Sequence, residues 1–317
     1  MIWNELHSFI ASHDKFLISS HMSLDGDSIG SQLAFYWYLK SMGKEVTMCN
    51  HDSVPVKFAY LQNSDNMTVL PVKGHYDVLV ILDCSNPGRL GWDISTSSAS
   101  SIINIDHHRD NTRFGSLNIV DTAASATGEI IYDHFQHCNI SFPSHVAESL
   151  YTAIMTDTGG FRFSNTNSRV LKKCADLADN GANCSKVYEK VYASHSQNAL
   201  LLQARIWSTL HFLLDGRVCI MEMPYSLVSE LGAQYSDSEG MSDNTSTADG
   251  VYVGMLVKHS NNETHFSLRS KGKIDVGKIA QKIPGGGGHS NAAGCTINLP
   301  YEQALQKMLS IIETELR

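Results

Sequence analysis

The chain has 317 residues, of which 42% are hydrophobic and 18% are charged, a composition typical of a globular protein long enough for two domains. No apolar run approaches the roughly 18 to 20 residues that a membrane-spanning helix requires, so we expect no membrane association. The net charge of −8 at pH 7 argues against electrostatic binding along the backbone of a long nucleic acid. Metal ions or a local basic cluster can still bind a phosphate substrate.

The N-terminal residues predict an amphipathic first helix and not a signal peptide. MIWNELHSFIASHDKF carries acidic side chains and lacks both a basic flank and a cleavage site. The seven cysteines are scattered without a C-x-x-C pair, which favours a reducing compartment. We therefore expect a cytoplasmic protein.

The first half of the chain alternates predicted strands with predicted helices. The strands are KFLISS, EVTMCN, HYDVLVILD and SIINID, and the helices are SIGSQLAFYWYLKSMG, TGEIIYDHFQHC and SHVAESLYTAIMTD. HYDVLVILD is almost continuously apolar, as expected for a strand buried on both faces. This alternation indicates an α/β domain with a parallel sheet, which we place at residues 1–190.

The pattern changes in the second half. SQNALLLQARIWSTLHFLL predicts one long connecting helix, and we assign a helical linker to residues 191–214. DGRVCIMEMP, VYVGMLVK, HFSLRS and GCTINL predict strands, whereas QYSDSEGMSDNTSTADG has the polar composition of a flexible surface loop. We expect a second, smaller α+β domain at residues 215–317.

Four segments of the first domain carry acidic or imidazole side chains. They are His21, Asp25 and Asp27 after KFLISS, Asp83 after VLVIL, Asp106-His107-His108 after SIINI, and Asp157 in MTDTGG. Because the carboxyl ends of parallel strands meet at one edge of a sheet, we expect the first three segments to lie together. Each segment alone is more often a turn, a helix cap or a packed side chain, but converging carboxylates repel one another unless a cation neutralises them.

The residue types predict which cations bind. A ligand set of two imidazoles and four carboxylates drawn from these segments, with no thiolate, favours Mn²⁺, with Mg²⁺, iron or Co²⁺ as alternatives. Six ligands are too many for one ion that must also hold water and substrate, so we expect two divalent ions. Such a pair can activate a hydroxide for in-line attack on phosphorus, as in many phosphoesterases.

In order and spacing, these four segments resemble the four motifs of the DHH phosphoesterases. IPGGGGHSNAAG, at residues 283–294, resembles the glycine-rich signature of the DHHA1 domain. The compact plan is similar to the branch of this family that degrades very short oligonucleotides (nanoRNA) and dephosphorylates 3′-phosphoadenosine 5′-phosphate. The resemblance implies an N-terminal DHH catalytic domain, a C-terminal DHHA1 substrate-binding domain that closes over the substrate, and a homodimer as one oligomeric state.

The resemblance also implies a role for each residue of the four segments. One ion would be held by His21, Asp25 and Asp83, and the other by Asp27, Asp83, His107 and Asp157, with Asp83 shared. The catalytic residues would be His108, which faces the phosphate, and Asp106, which supports the neighbouring ligands.

Predicted substrate contacts lie in both domains. Arg269 and Ser270 form the R-S pair seen in DHHA1 domains, and Gly287, Gly288 and His289 belong to the glycine-rich signature. Glycines let a backbone approach an anion closely, and an arginine can bind phosphate through two hydrogen bonds. The same region is locally basic through Lys271, Lys273, Lys278 and Lys282. Arg89 and Arg109 are further candidates in the first domain.

Several alternative functions stay open. A soluble phosphodiesterase for cyclic di-AMP or pApA fits the same motifs, whereas a RecJ-like single-strand exonuclease usually carries additional domains. An inorganic pyrophosphatase shares the metal motifs, but the glycine-rich segment favours nucleotide binding. A nucleotide- or RNA-binding module without catalysis is disfavoured by the intact ligand set. The expected partners are short single-stranded RNA or DNA oligonucleotides or small phosphonucleotides.

Overall fold

The computed structural model describes residues 2–70, 74–97, 99–272 and 274–316, apart from the side chains of residues 96 and 97. Lys273, one of the predicted basic residues, lies outside the described residues. The chain divides into two compact units, Met1–Ser194 and His195–Arg317. In the described part of the chain, no helix is both long and apolar enough to span a bilayer.

The first unit is built on one parallel sheet. Its strands are β1 (Lys15–Ser19), β2 (Glu45–Asn50), β3 (Met67–Val69), β4 (Tyr76–Leu82), β5 (Ala99–Asp106) and β6 (Leu117–Val120). Its helices are α1 (Ile2–Ala11), α2 (Gly26–Ser41), α3 (Thr127–His137), α4 (Ser144–Asp157), α5 (Ser168–Asp179) and α6 (Cys184–Tyr192). All six strands are parallel, in the order β3-β2-β1-β4-β5-β6, which confirms the predicted α/β architecture.

The central strands are buried on both faces because their side chains alternate between two apolar cores. In β1, Phe16 and Ile18 belong to the core that also contains Ile29 of α2, whereas Leu17 belongs to the opposite core with Leu90. Helix α2 begins at a capping box, in which Asp25 Oδ1 accepts from the Ser28 amide and Ser28 Oγ accepts from the Asp25 amide.

The strand order places the predicted site. The chain runs outward from β1 to β2 and β3, and then returns to the other side of β1 to form β4, β5 and β6. The carboxyl ends of β1 and β4 therefore flank the topological switch point, where ligands bind in open α/β sheets. The segments after β1, β4 and β5 carry the predicted acidic and imidazole residues except Asp106, which ends β5, and Asp157, which ends α4.

The second unit is built on a mixed sheet. Its strands are β7 (His211–Leu213), β8 (Val218–Pro224), β9 (Val253–His259), β10 (Thr264–Arg269), β11 (Gly287–Gly288) and β12 (Ala292–Ile297). Its helices are α7 (Gln197–Trp207), α8 (Tyr225–Glu230), α9 (Met241–Asn244), α10 (Val276–Gln281) and α11 (Tyr301–Glu315). The order is β11-β12-β10-β9-β8-β7, with β8 and β9 parallel and the other pairs antiparallel. The predicted α+β class of this region is confirmed.

Two sequence predictions in this part of the chain are wrong. The predicted long helix ends at Trp207, because the residues from His211 onward pair with β8 as strand β7. The segment 234–250, predicted as a surface loop, contains α9 and packs closely on β9: a Cβ added to Gly254 would lie 2.2 Å from Thr245 Oγ1. The predicted linker at 191–214 stays a prediction.

Candidate metal centre

The structure brings the predicted metal ligands together from four segments. His21 follows β1, Asp25 and Asp27 lie at the start of α2, Asp83 follows β4, His107 follows β5, and Asp157 ends α4. Three groups each offer ligand atoms that lie within 4.8 Å of one another, namely His21–Asp25–Asp83, Asp27–His107–Asp157 and Asp83–His107–His108.

Asp83 lies between two imidazoles. Its Oδ2 is 3.4 Å from His21 Nε2, and its Oδ1 is 3.5 Å from His107 Nε2. The residue adopts a left-handed backbone conformation, with φ of 56°, which is uncommon for a residue other than glycine. Its amide donates to the Ile105 carbonyl of the neighbouring strand. Because its two oxygens face different rings, one carboxylate can serve two ions.

His21 has the orientation of a metal-binding histidine. Its Nδ1 donates to the Met22 carbonyl at 2.8 Å, so the lone pair of the neutral ring lies on Nε2. Nε2 is 3.6 Å from Asp25 and 3.4 Å from Asp83. Burial opposes the charged ring, but the Asp83 hydrogen bond and charge raise the pKa of His21 to about 9. A lone pair that faces two carboxylates is a site for a cation.

Asp27 is held by two helices. Its Oδ1 accepts from Ser31 Oγ and from the Gly128 amide, both at 2.9 Å, and its Oδ2 accepts from the Thr127 amide at 2.7 Å. Oδ2 also lies 3.8 Å from His107 Nε2. Hydrogen bonds thus occupy Oδ1 twice and Oδ2 once, which leaves Oδ2 as the oxygen available to an ion.

The carboxylates of the candidate site shift one another's pKa. Burial and the charge of Asp83 raise the pKa of Asp27. Burial raises the pKa of Asp157 to about 7, although His107 acts in the opposite direction. Burial would also raise the pKa of Asp83, but the hydrogen bond and charge of His21 lower it. Excess negative charge with imidazole and oxygen donors is the chemistry of a divalent metal site, so these residues fit such an ion.

Asp106 orients the two histidines that follow it. Its buried Oδ1 accepts from His108 Nδ1 at 2.7 Å and from the His107 amide at 2.9 Å. Burial opposes a charged ring, but the hydrogen bond that His108 donates to Asp106 raises the pKa of His108. Because Nδ1 donates to Asp106, Nε2 is the nitrogen of His108 that remains for a substrate. The catalytic roles of His108 and Asp106 stay predictions.

The sequence reasoning missed several residues that hold side chains of this site in place. Thr127 Oγ1 donates to Asp83 Oδ1 at 3.1 Å. Asn111 Nδ2 donates to Asp106 Oδ2 at 2.6 Å and to Asn104 Oδ1 at 2.8 Å. The start of a helix on a parallel sheet was a usable signal for Thr127, because helix N-termini cluster at the carboxyl edge. No local pattern distinguished Asn111 from a turn residue.

Of the predicted substrate residues, Arg89 and Arg109 lie in the first unit. Arg89 is in a 3₁₀ turn at Pro87–Leu90, and its charge acts to lower the pKa of His108. Its backbone carbonyl accepts a hydrogen bond of 2.8 Å from the amide of Met22, the residue after His21, so Arg89 lies beside the candidate site. Arg109 directly follows the histidine pair and is exposed.

The other predicted substrate residues lie on or directly after β10 and β11 of the second sheet, two strands that are separated by β12. Arg269 ends β10, and its Nε donates to Asp243 Oδ1 at 2.6 Å. The amide of the buried Ser270 donates to the Asn291 carbonyl at 3.0 Å.

The glycine-rich signature forms the short hairpin of β11 and β12. Gly287 pairs with Gly294 and Gly288 with Ala293. Gly288 has a φ of 140°, and a Cβ there would lie 2.5 Å from Ala293 Cα, so this position requires glycine. His289 is exposed at the hairpin. The structure therefore groups Arg269, Ser270 and the hairpin on one sheet, while their contact with substrate stays a prediction.

Comparison with known proteins agrees with this architecture. Residues 15–154 match the family model "DHH family, N-terminal domain", and residues 216–317 match the DHHA1 domain. The chain is 31% identical to the bifunctional oligoribonuclease and PAP phosphatase NrnA of Thermus thermophilus, over 94% of this chain and 89% of the relative. It is 24% identical to the protein of the same name from Bacillus subtilis, over 98% and 97% of the two chains.

A solved structure shows the same fold. The exopolyphosphatase-related protein of Bacteroides fragilis superposes with a TM-score of 0.91 and 24% identity, covering 99% of this chain and 96% of that one. The similarity thus spans both units, as does the match to the Thermus thermophilus relative. The chain belongs to the DHH family of phosphoesterases, with its DHH domain followed by a DHHA1 domain.

Proposed function

We propose that the protein is a metal-dependent phosphoesterase that hydrolyses short oligonucleotides (nanoRNA) and removes a phosphate from 3′-phosphoadenosine 5′-phosphate. Membership of the DHH family and the names of the relatives support hydrolysis of these substrates. The observation that carries the proposal is the position of Asp83, whose two oxygens lie 3.4 and 3.5 Å from the Nε2 atoms of His21 and His107. One shared carboxylate between two ligand groups is the arrangement of a two-metal hydrolase.

In this proposal each of the two ligand groups holds one divalent ion. His21, Asp25 and Asp83 hold one divalent ion, and Asp27, Asp83, His107 and Asp157 hold the other. When bound, the ions supply the charge that activates a water molecule and stabilises the phosphoryl oxygens. His108 presents Nε2 to the phosphate, and Asp106 keeps the ring in that orientation through its hydrogen bond to Nδ1.

We further propose Mn²⁺ as the native metal, with Mg²⁺ and Co²⁺ as alternatives. Carboxylate oxygens with two imidazoles and no thiolate support this choice. The proposed location is the cytoplasm, which the seven free cysteines support. A homodimer is the proposed oligomeric state, and light scattering of the purified protein tests it.

A substrate panel tests the proposed function. Metal-stripped protein is supplied with Mn²⁺, Mg²⁺ or Co²⁺ and given 3′-phosphoadenosine 5′-phosphate, 5′-phosphorylated RNA of two to twenty nucleotides, pApA, cyclic di-AMP and pyrophosphate. We expect the fastest hydrolysis with the bisphosphate nucleotide and the shortest RNA. A chelator-treated sample is the control for metal dependence.

Each alternative predicts a different result. Preference for RNA longer than about ten nucleotides would favour a RecJ-like exonuclease with an extended strand groove. Preference for cyclic di-AMP or pApA would favour the dinucleotide phosphodiesterase. Binding of nucleotides without turnover by any of the three metals would favour the nucleotide- or RNA-binding module and would overturn the proposal.

A further inference from the structure

The segment directly after Asp157 has an unusual backbone. Gly159, Gly160 and Phe161 are three successive residues with positive φ, at 60°, 68° and 66°. Two of them are glycines, but a bulky aromatic residue adopts this conformation only under strain. Such strain persists where the surrounding structure enforces it, and it is concentrated at functional sites.

Hydrogen bonds and core packing hold this segment in place. The Gly159 amide donates to the Thr156 carbonyl at 2.9 Å, and the Phe163 amide donates to the Thr158 carbonyl at 3.1 Å. The Phe161 ring packs against the core, with its centroid 6.1 Å from that of Tyr151. The strained turn thus packs the ring of Phe161 against the core of the first unit. It also turns the chain so that Phe163 lies close to Gly159.

The second aromatic ring of the segment points outward. Phe163 is 48% exposed, and its ring lies so close to Gly159 that an added Cβ would be 2.5 Å from the ring atoms. The Arg162 guanidinium lies 5.9 Å from the ring centroid, and its Nε donates to the Gly159 carbonyl at 2.7 Å. The ring is therefore held in one position while about half of its surface stays open.

The same segment is tied to the candidate metal centre. Asn165 Nδ2 donates to the Asp157 carbonyl at 3.1 Å and to the Ser125 carbonyl at 3.2 Å. Asp157 is a predicted ligand, and Ser125 lies two residues before Thr127, which contacts Asp27 and Asp83. The exposed ring thus belongs to a loop that is hydrogen-bonded to the predicted ligand Asp157 and to the segment at 125–127, which itself holds Asp27 and Asp83.

We propose that Phe163, with Arg162 beside it, is a stacking platform for a nucleobase of the substrate. Aromatic rings stack on any base, and an adjacent guanidinium adds a cation–π and phosphate contact. This inference rests on the proposed function and deepens it, because it assigns recognition of the nucleoside to the first unit. A fixed, half-exposed ring that packs on Gly159, two residues after the predicted ligand Asp157, would favour nucleotides over phosphate compounds that lack a base.

The test compares one dinucleotide with two analogues, each of which lacks one of its two bases. 5′-Phosphorylated diadenylate and its two abasic analogues, each lacking one base, are hydrolysed by wild-type protein, Phe163→Ala, Phe163→Leu and Phe163→Trp. We expect Phe163→Ala to raise KM for diadenylate on the order of 10- to 100-fold, with kcat little changed, because one stacked base is lost. The variant is expected to leave KM unchanged for the analogue that lacks the stacked base. Phe163→Trp keeps the wild-type KM, and Phe163→Leu does not.

Phe212→Ala is the matched control, since Phe212 is also 48% exposed but lies on β7 of the second unit. Thermal unfolding and Mn²⁺ titration without substrate check that each variant keeps its fold and metal centre. Equal KM changes with diadenylate and both abasic analogues, or no difference between Phe163→Ala and Phe212→Ala, would overturn the platform. If the wild-type protein hydrolysed no nucleotide, the proposed function would be wrong. Equilibrium binding of the same dinucleotides to the same variants would then test separately whether Phe163 stacks on a base.

Discussion

The amide of Thr127 donates a hydrogen bond of 2.7 Å to Oδ2 of Asp27, across one hundred positions of the sequence. The amide of Gly128 binds the other oxygen at 2.9 Å. Amides at a helix N-terminus have no partner within their own helix and carry the positive end of its dipole. The first turn of α3 thus holds a carboxylate of α2 in place and leaves one lone pair of Oδ2 for an ion.

The hydroxyl of Thr127 is predicted to support metal binding separately from its amide. Thr127→Val removes the hydrogen bond to Asp83 Oδ1 but keeps the side-chain volume and the amide bond to Asp27. We expect metal affinity, measured by calorimetry, to fall about 10-fold, as is usual when a partner of a metal ligand is lost. Thr127→Ser retains the hydroxyl and should behave as wild type. A valine variant with unchanged affinity would contradict this role.

Asp83→Asn should abolish the paired site. The neutral amide cannot serve two cations, so binding of both ions weakens. We expect kcat/KM to fall by at least on the order of 10³-fold, because several kcal/mol of charge stabilisation are lost. Asp65→Asn, at an exposed carboxylate of the same unit, is the control and should leave activity unchanged. Full metal-dependent activity in Asp83→Asn would refute the assignment of Asp83.

The stability of the metal-free protein should fall as pH rises. Asp157 has a pKa of about 7 in the folded protein against about 3.9 when unfolded, so the folded state binds more protons between these values and loses stability as pH increases. The pKa of His21 is raised from 6.5 to about 9, so its contribution is complete below pH 6.5 and is lost as pH rises through 9. Both groups therefore act in the same direction.

Thermal unfolding in a chelator between about pH 5 and pH 9 measures this effect. Burial lowers the pKa of His134 to about 4, which opposes the decline below about pH 6.5. The midpoint should therefore decrease most clearly above that pH, and Asp157→Asn should reduce the decline below about pH 7 but not the part due to His21. With saturating Mn²⁺ the decline should disappear, since ion binding requires the deprotonated ligands. A midpoint that rises over this range without metal would contradict the prediction.

Asn111 is predicted to act through His108. Asn111→Ala removes the donor to Asp106 Oδ2, so Asp106 holds the His108 ring less firmly. We expect kcat to fall about 10-fold with little change in KM, as for other supporting residues, and the pH–rate profile to shift. Metal affinity should stay at the wild-type value, because Asn111 contacts no predicted ligand. Loss of metal affinity with an unchanged kcat at saturating metal would show a merely structural role.

Arg269 is predicted to bind phosphate through Nη2 and the second hydrogen of Nη1, because Nε is paired with Asp243 and Nη1 already donates to the Leu268 carbonyl at 3.0 Å. Arg269→Lys keeps the charge but loses the planar fork, so KM for the bisphosphate nucleotide should rise about 10-fold. Asp243→Asn should raise KM less, because the guanidinium remains but is held less firmly. Lys282→Arg, at the pair with Glu315, is the control. An unchanged KM in Arg269→Lys would remove Arg269 from the substrate site.

Much of this architecture could be predicted from local patterns. EVTMCN and SHVAESLYTAIMTD match β2 and α4 residue for residue, because apolar periodicity and helix-start signals are properties of neighbouring residues. The grouping of His21, Asp83 and His107 also followed from sequence, since each comes after an apolar strand of a parallel sheet. Asp157 is different: it ends a helix, so the strand-end argument that grouped the other segments did not place it with them.

Long-range contacts decided the remainder. His211 lies in a strand because β8 offers a pairing edge, and residues 241–245 are ordered because they pack on Gly254. In the candidate metal centre, tertiary structure alone assigned one oxygen of Asp83 to each histidine and brought Thr127 to Asp27 and Asp83. Residue types and strand ends are encoded locally, whereas the direction of a buried lone pair depends on donors a hundred residues away in the chain.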